Sequence, residues 1–206
     1  MDKKIVDNIL RIFTEGSNRH ALDIIPFAGT LLGYVRDGGP MSWDRDVDVA
    51  VKRPDIKNFF FVKELQAAGI KLKWIDKFSD GNFKFKFSFS DIPIDLYVLS
   101  KEGDFWVNRC IGPGRFTYRY RYTDYTAVKK NIGGLMLNVP EDPEKFLEQC
   151  YGPDWKTPDP AWDGYLSPHN LITDPFKTKD NFKKHLKKLK GPGRLTGVDA
   201  DIFLKN

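Results

Sequence analysis

Trp43-Asp44-Arg45-Asp46-Val47-Asp48-Val49-Ala50-Val51 is the stretch on which the reading of this chain turns. In an extended segment, side chains two apart share a face, so Asp46 and Asp48 project together while Val47 and Val49 enter a core. Two carboxylates side by side, with no basic neighbour on that face, repel each other unless a cation sits between them. Oxygen ligands of this kind suit Mg²⁺ or Mn²⁺, which hold few protein carboxylates and complete their shells with water and substrate phosphates. In outline this is a phosphoryl-transfer site.

The flanking sequence adds to it. Ile92-Pro93-Ile94-Asp95-Leu96-Tyr97-Val98-Leu99 reads as an apolar strand carrying one carboxylate, which is costly to bury without a partner. A shared metal would be that partner, and Asp95 is assigned both metal holding and acceptance of a proton from an attacking hydroxyl. Upstream, Gly29-Thr30-Leu31-Leu32-Gly33-Tyr34-Val35-Arg36 follows a short apolar strand, so amides with little side-chain obstruction meet a phosphate at a strand-to-helix turn. Arg36, one or two helical turns on, offers a bidentate fork to a phosphate oxygen. Gly29, Thr30, Gly33, Arg36 and Asp44 are thus the candidate substrate- and phosphate-binding residues, with Asp46, Asp48 and Asp95 as catalytic and metal-binding ones. A lone Asp-x-Asp is more often a solvated strand end, and Gly-Thr alone is weak; the ordered set is what carries the chemistry.

These same blocks resemble the LicD family of the nucleotidyltransferase-fold superfamily, which includes bacterial phosphocholine transferases, fukutin and fukutin-related proteins. A C-terminal run from Val139-Pro140 through Phe146-Leu147 to Tyr151-Gly152-Pro153-Asp154-Trp155 is similar to the family's ending, so the resemblance spans roughly residues 20 to 160. It implies transfer of a phosphorylated alcohol, such as phosphocholine or ribitol phosphate, from a CDP-linked donor to a glycan hydroxyl, with CMP leaving. Carried over by position, Asp46 and Asp48 are metal ligands, Asp95 the third acidic residue, and Gly29, Thr30 and Arg36 line the phosphate site. Arg45 departs from the family's frequent Trp-Asp-Asp-Asp; it shares the face of Val47, so the metal site is expected to survive. Two other readings stand beside this one: a nucleotidyltransferase moving NMP from an NTP to a small acceptor, and a catalytically silent nucleotide- or glycan-binding module.

The rest of the chain frames the fold. Ile5, Val6, Ile9, Leu10 and Phe13 recur at helical spacing, giving a first helix that ends near Gly16. A second is expected from Pro54 through Phe59–Val62 and Leu65 to Gly69, and a third opens at Asp142-Pro143. Strands are expected at 24–28, 46–51, 70–74, 83–89, 94–99, 116–123 and 135–139. The clearest has Phe83, Phe85, Phe87 and Phe89 alternating with Lys84, Lys86 and Ser88, a strand with one buried face. The expected class is α/β (α+β), a nucleotidyltransferase-like mixed sheet with packed helices. Residues 1–160 form the catalytic core, and 161–206 a C-terminal loop and basic helix packed on it.

In the alternation of Phe116, Tyr118, Tyr120 and Tyr122 with Arg119 and Arg121, base stacking competes with a buried aromatic face. The second is preferred, so nucleic acid is not an expected partner, while Arg119 and Arg121 stay available to an anionic donor or acceptor. Seven lysines and one aspartate between 177 and 190 read as a solvated helix face, with peripheral contact to a membrane or acidic glycan as the alternative. The 206 residues are 41% hydrophobic, enough for a core, and the charge of +5 favours an anionic partner without requiring one. Cys110 and Cys150 form no CxxC pair, His20, His169 and His185 lack metal-ligand spacing, and no membrane-length apolar run occurs. A cytoplasmic, reducing setting is the expectation.

Overall fold

A computed structural model of the chain describes residues 1–53, 56, 59–78, 80–112, 117–172, 193–196 and 204. Its elements run α1 (Lys3–Arg19), β1 (Ile25–Pro26), α2 (Ala28–Asp37), β2 (Val47–Lys52), α3 (Phe60–Ala67), β3 (Lys71–Lys77) and β4 (Phe83–Phe89). They continue with β5 (Ile92–Glu102), β6 (Phe105–Ile111), β7 (Thr117–Tyr122), β8 (Ala127–Ile132), β9 (Leu135–Pro140), α4 (Pro143–Tyr151) and β10 (Gly193–Leu195). The class is mixed α+β, as expected.

Six strands lie in the order β1-β2-β5-β4-β3-β10, and β6 and β7 extend the sheet from the far end of β5. Every pairing is antiparallel except β2 with β5. The parallel pair is possible because the crossover through α3 carries the chain back to the starting end before the β3–β4 hairpin. One face of the sheet is apolar: Val47, Val49, Ile94, Leu96, Phe85 and Phe87 are all buried. The amphipathic helices α1 and α3 cover it, with Phe13 edge-on to Phe87 at 6.1 Å and Phe61 edge-on to Phe85 at 6.0 Å. Burial of these large side chains, at about 25 cal/mol per Å² of apolar area, is the main term holding the helices to the sheet.

Local signals explain the helix ends. Asp2 caps α1 by accepting from the Lys4 amide at 2.8 Å, and Asp142 caps α4 by accepting from the Lys145 amide at 3.0 Å, with Pro143 in the first turn. Helix α1 ends at Arg19, a little past Gly16 as the expectation allowed; Gly16 and Ser17 are buried and packed rather than terminal. The strand expected at 24–28 contracts to Ile25–Pro26: Phe27 already serves as the cap of α2, and Ala28 turns the chain at φ 45°. Pro54 and Phe116 lie outside the described residues, as does the lysine-rich segment 177–190.

Two strands had no periodic signal. In β6 every residue from Trp106 to Cys110 is buried, Asn108 and Arg109 included, so apolar and polar residues do not alternate. In β8 the central Lys129, Lys130 and Asn131 are exposed and no face reads as apolar. Past α4, the loop returns over the sheet: Trp155 is buried, Trp162 packs on Tyr151 with centroids 4.9 Å apart, and Tyr120 Oη donates to the Tyr165 carbonyl at 3.0 Å. Among the described residues, no helix is long and apolar enough to cross a membrane.

Candidate active site

The parallel pairing of β2 with β5 sets Asp48 directly opposite Asp95. Asp46 lies one residue before β2 begins and projects to the same side as Asp48. One carboxylate oxygen from each of Asp46, Asp48 and Asp95 lies within 4.8 Å of the others. The expected convergence of three acidic side chains from two neighbouring strands is therefore present, with Val47 and Val49 on the core side.

The electrostatics are those of a crowded acidic centre. Burial first, then the charges of Asp46, Asp95 and Asp44, push the Asp48 carboxyl well above the usual carboxylate range. Asp46 is raised for the same reasons, burial first and then Asp95. Asp44 is pushed up to about 6 by burial and by Asp46. Asp48 Oδ1 is buried and has no hydrogen-bond partner. A divalent cation is the group this donor set fits: hard oxygen ligands, excess negative charge and a buried oxygen that otherwise goes unsatisfied. Its identity as Mg²⁺ or Mn²⁺ belongs to the chemistry of the donors, which serves either.

Around this centre the sequence-derived residues take unequal parts. Thr30, almost fully buried, accepts the Asp48 amide hydrogen on Oγ1 at 2.9 Å, while the Phe27 amide donates to the Asp48 carbonyl at 2.9 Å. These bonds lock the first turn of α2 to the start of β2. Thr30 was expected at the phosphate site through its backbone amide; its hydroxyl has a separate part, positioning Asp48. A side chain at Gly29 would place its Cβ 3.0 Å from Asp44 Oδ2, so the missing side chain lets Asp44 sit against the first turn of α2. There the helix dipole favours an anion, whether Asp44 or a phosphate.

Gly33 is tightly packed: a Cβ there would stand 2.6 Å from the Gly39 carbonyl oxygen. Arg36 spends its fork on the neighbouring Asp37, with Nε and Nη2 at 2.9 and 2.8 Å, and Nη2 is also 3.3 Å from Met41 Sδ. Its guanidinium stiffens the end of α2 instead of pointing at the carboxylates. Arg45 is exposed, as its separation from the metal site requires. Arg119 and Arg121 do not join the site. Arg119 pairs with Glu102 beside Arg109, and Arg121 lies over the Phe105 ring at 5.2 Å, whereas Tyr120 and Tyr122 fill the other side of β7.

Two residues were missed. Lys84 Nζ is 3.0 Å from Asp95 Oδ2, and Lys86 Nζ is 2.7 Å from Asp95 Oδ1. The alternation in β4 had made these lysines the outward, solvated face, but β4 has no solvated face here: Lys84 is only 8% exposed. Asp95 thus has partners apart from any metal, a correction to the reasoning that only a cation could repay its burial. The usable signal was the match in period between Lys84/Lys86 and the strand bearing Asp95, which only pairing makes meaningful. Burial works against the Lys84 ammonium, but Asp95, through charge and hydrogen bond, outweighs it and raises its pKa.

Aromatic residues complete the walls. Tyr97 Oη is 3.4 Å from Asp95 Oδ2, and burial, then Asp48 and Asp95, holds its phenol protonated. Tyr151 and Tyr165, from the end of α4 and the loop beyond, also have raised pKa values; burial leads, and the carboxylates contribute in both. Trp43, 63% exposed, stands at the entrance next to Asp44 in sequence. Of the histidines, His20 contacts Glu64 and the His169 ring fills the space beside Gly152, while His185 lies outside the described residues.

Comparison with known proteins follows the same geometry. The family described as LicD/FKTN/FKRP, nucleotidyltransferase domain, matches residues 23–142, the span from β1 through β9 that contains all three site aspartates. The chain is 27% identical to mouse ribitol-5-phosphate transferase FKTN over 154 residues, covering 71% of this chain and 33% of that protein. It is 24% identical to the Macaca fascicularis and human proteins of the same name over 173 residues, covering 82% of this chain and 37% of each. The chain therefore spans about a third of the length of these relatives. With the matched span holding the aspartate centre, the chain belongs to the LicD/FKTN/FKRP nucleotidyltransferase-domain family.

Proposed function

We propose that this protein transfers a phosphorylated alcohol from a CDP-activated donor to a hydroxyl group of a glycan, releasing CMP. The observation that carries the reading is the meeting of Asp46, Asp48 and Asp95 within 4.8 Å beside the first turn of α2. Support comes also from the relatives' name, ribitol-5-phosphate transferase, and from family membership.

In this reaction the acceptor hydroxyl gives up its proton to solvent and its oxygen forms a bond to the phosphorus that carries the alcohol. The bond from that phosphorus to the bridging oxygen breaks, and CMP leaves with the electron pair. Asp46, Asp48 and Asp95 would hold the divalent cation, which supplies charge neutralisation at the phosphate oxygens. Thr30 keeps Asp48 in place by anchoring its amide. The first-turn amides of α2 face the same region and favour an anion. Tyr151 and Tyr165 are near enough to feel the charge of the aspartates. Both Asp95 oxygens meet ammonium groups, with which a cation held there would compete, and the proton-acceptor role has no separate support.

The test is incubation with a panel of CDP-alcohols and of NTPs in the presence of Mn²⁺. CMP release supports this reading. Pyrophosphate release would replace it with nucleotidyl transfer to a small acceptor, and nucleotide binding without release of either would leave a binding module.

A further inference from the structure

Lys84 and Lys86 are more than a structural ion pair needs. They stand two apart on β4, on the side facing the carboxylates, and grip different oxygens of one Asp95. Side-chain exposure is 10% for Lys84, 17% for Lys86 and 8% for Asp95, so two ammonium groups are withdrawn from water onto a single carboxylate. Beside them, Asp48 Oδ1 is buried without a partner. Two ammonium groups thus pair directly with one aspartate while its neighbour Asp48 has no ion pair of its own and feels Lys84 only at longer range, an arrangement poorly suited to stability alone.

We infer that Lys84 and Lys86 are phosphate-binding residues: both reach Asp95 from β4, and they would turn to the phosphate oxygens of the donor when a divalent cation takes the three carboxylates. This rests on the phosphotransfer reading for the identity of the donor, though not for its test. A cation among Asp46, Asp48 and Asp95 competes with both ammonium groups for Asp95. An ammonium displaced inside so enclosed a site is costly unless another anion arrives. The anion delivered by the proposed reaction is a diphosphate. Lysine suits the exchange because its compact charge rides on a flexible four-carbon stem, so Nζ can swing while the strand stays in register. The Tyr97 ring, 5.0 Å from Lys84 Nζ, offers that charge a π face during the move. Lys86, the more exposed of the two, is the one placed to meet an incoming phosphate first.

The experiment uses the full chain and two titrations, neither of which needs turnover. Mn²⁺ alone is titrated and free ion followed by electron paramagnetic resonance; then inorganic pyrophosphate, presented with saturating Mn²⁺, is titrated by calorimetry. Lys86→Met is expected to bind Mn²⁺ about threefold tighter, because a competing cation is gone, and pyrophosphate about tenfold weaker, because a charged phosphate contact is lost. Lys86→Gln serves as the second variant should the first not fold, and Lys86→Arg is expected to recover most of the pyrophosphate affinity. Opposite signs in the two titrations are the signature; a lysine that merely holds β4 to β5 would weaken both or change neither, and either result overturns the inference. Pyrophosphate binding that depends on Lys86 in a protein inert toward every CDP-alcohol would support the lysine assignment and overturn the proposed reaction. Normal affinity for CDP-alcohols in Lys86→Met would overturn the lysine assignment alone.

Discussion

Asp48 of β2 and Asp95 of β5 are direct neighbours across the parallel strand pair at the middle of the sheet. With 46 residues between them in sequence, they present carboxyl oxygens to one shared point together with Asp46. Because a parallel ladder pairs residues one for one, a slip of one position would send Asp95 to the apolar face and dissolve the centre. The site's integrity is therefore tied to strand register.

Asp48→Asn is expected to abolish binding of Mn²⁺ and any turnover while leaving the fold intact. Burial and three acidic neighbours oppose its charged form, so removing the charge should leave the melting temperature of the metal-free protein unchanged or raise it. Calorimetric melting with and without Mn²⁺ checks both halves: a large loss of stability without metal would contradict the crowded-charge account.

Thr30→Val removes the acceptor of the Asp48 amide and leaves a buried donor without a partner, at a cost of about 1–3 kcal/mol. Thr30→Ser keeps the oxygen and should retain most of the stability. Denaturant unfolding of the two variants separates the hydroxyl from the methyl group, and Mn²⁺ affinity should fall in the valine variant alone.

The response to pH follows from Asp44 at about 6, with Asp46 and Asp48 raised as well. Each carboxyl holds its proton more tightly folded than unfolded, so its contribution to stability is greatest at low pH. That contribution is lost as pH rises from the ordinary carboxylate value near 4 through the folded value, about 6 for Asp44. The metal-free protein should lose stability from this cluster between about pH 4 and pH 7. Cation binding has the opposite slope, since the metal competes with those protons, and Mn²⁺ affinity should climb over the same range. Melting curves at several pH values, with and without Mn²⁺, should diverge; parallel curves would sink this prediction.

Gly33→Ala would set a Cβ 2.6 Å from the Gly39 carbonyl, and backbone on both sides leaves little room to yield. A loss of about 1–3 kcal/mol is expected, typical of overpacking, with metal affinity of the folded fraction close to normal. Selective loss of phosphate binding at full stability would instead place Gly33 at the phosphate site.

Arg119→Ala and Arg121→Ala should leave Mn²⁺ and pyrophosphate affinities within about twofold of wild type, because neither guanidinium is directed at the aspartates. Arg119→Ala breaks a pairing with Glu102 and should lower the melting point modestly. A tenfold loss of pyrophosphate affinity in either variant would place that arginine at the substrate.

What the sequence by itself determined is what depends on period and local chemistry. Alternation put Asp46 and Asp48 on one side and Val47 and Val49 on the other, and made Phe83, Phe85 and Phe87 a core stripe. Asp142-Pro143 marked a helix start, and the spaced motif blocks pointed to the family. Only the tertiary structure decided which strands are neighbours. That choice put Lys84 and Lys86 on Asp95 rather than in water, turned the Thr30 hydroxyl to the Asp48 amide, and drew Arg119 to Glu102. A strand's period states which of its side chains share a side; what that side faces depends on pairings between segments tens of residues apart, settled by burial of the whole sheet rather than by any local preference.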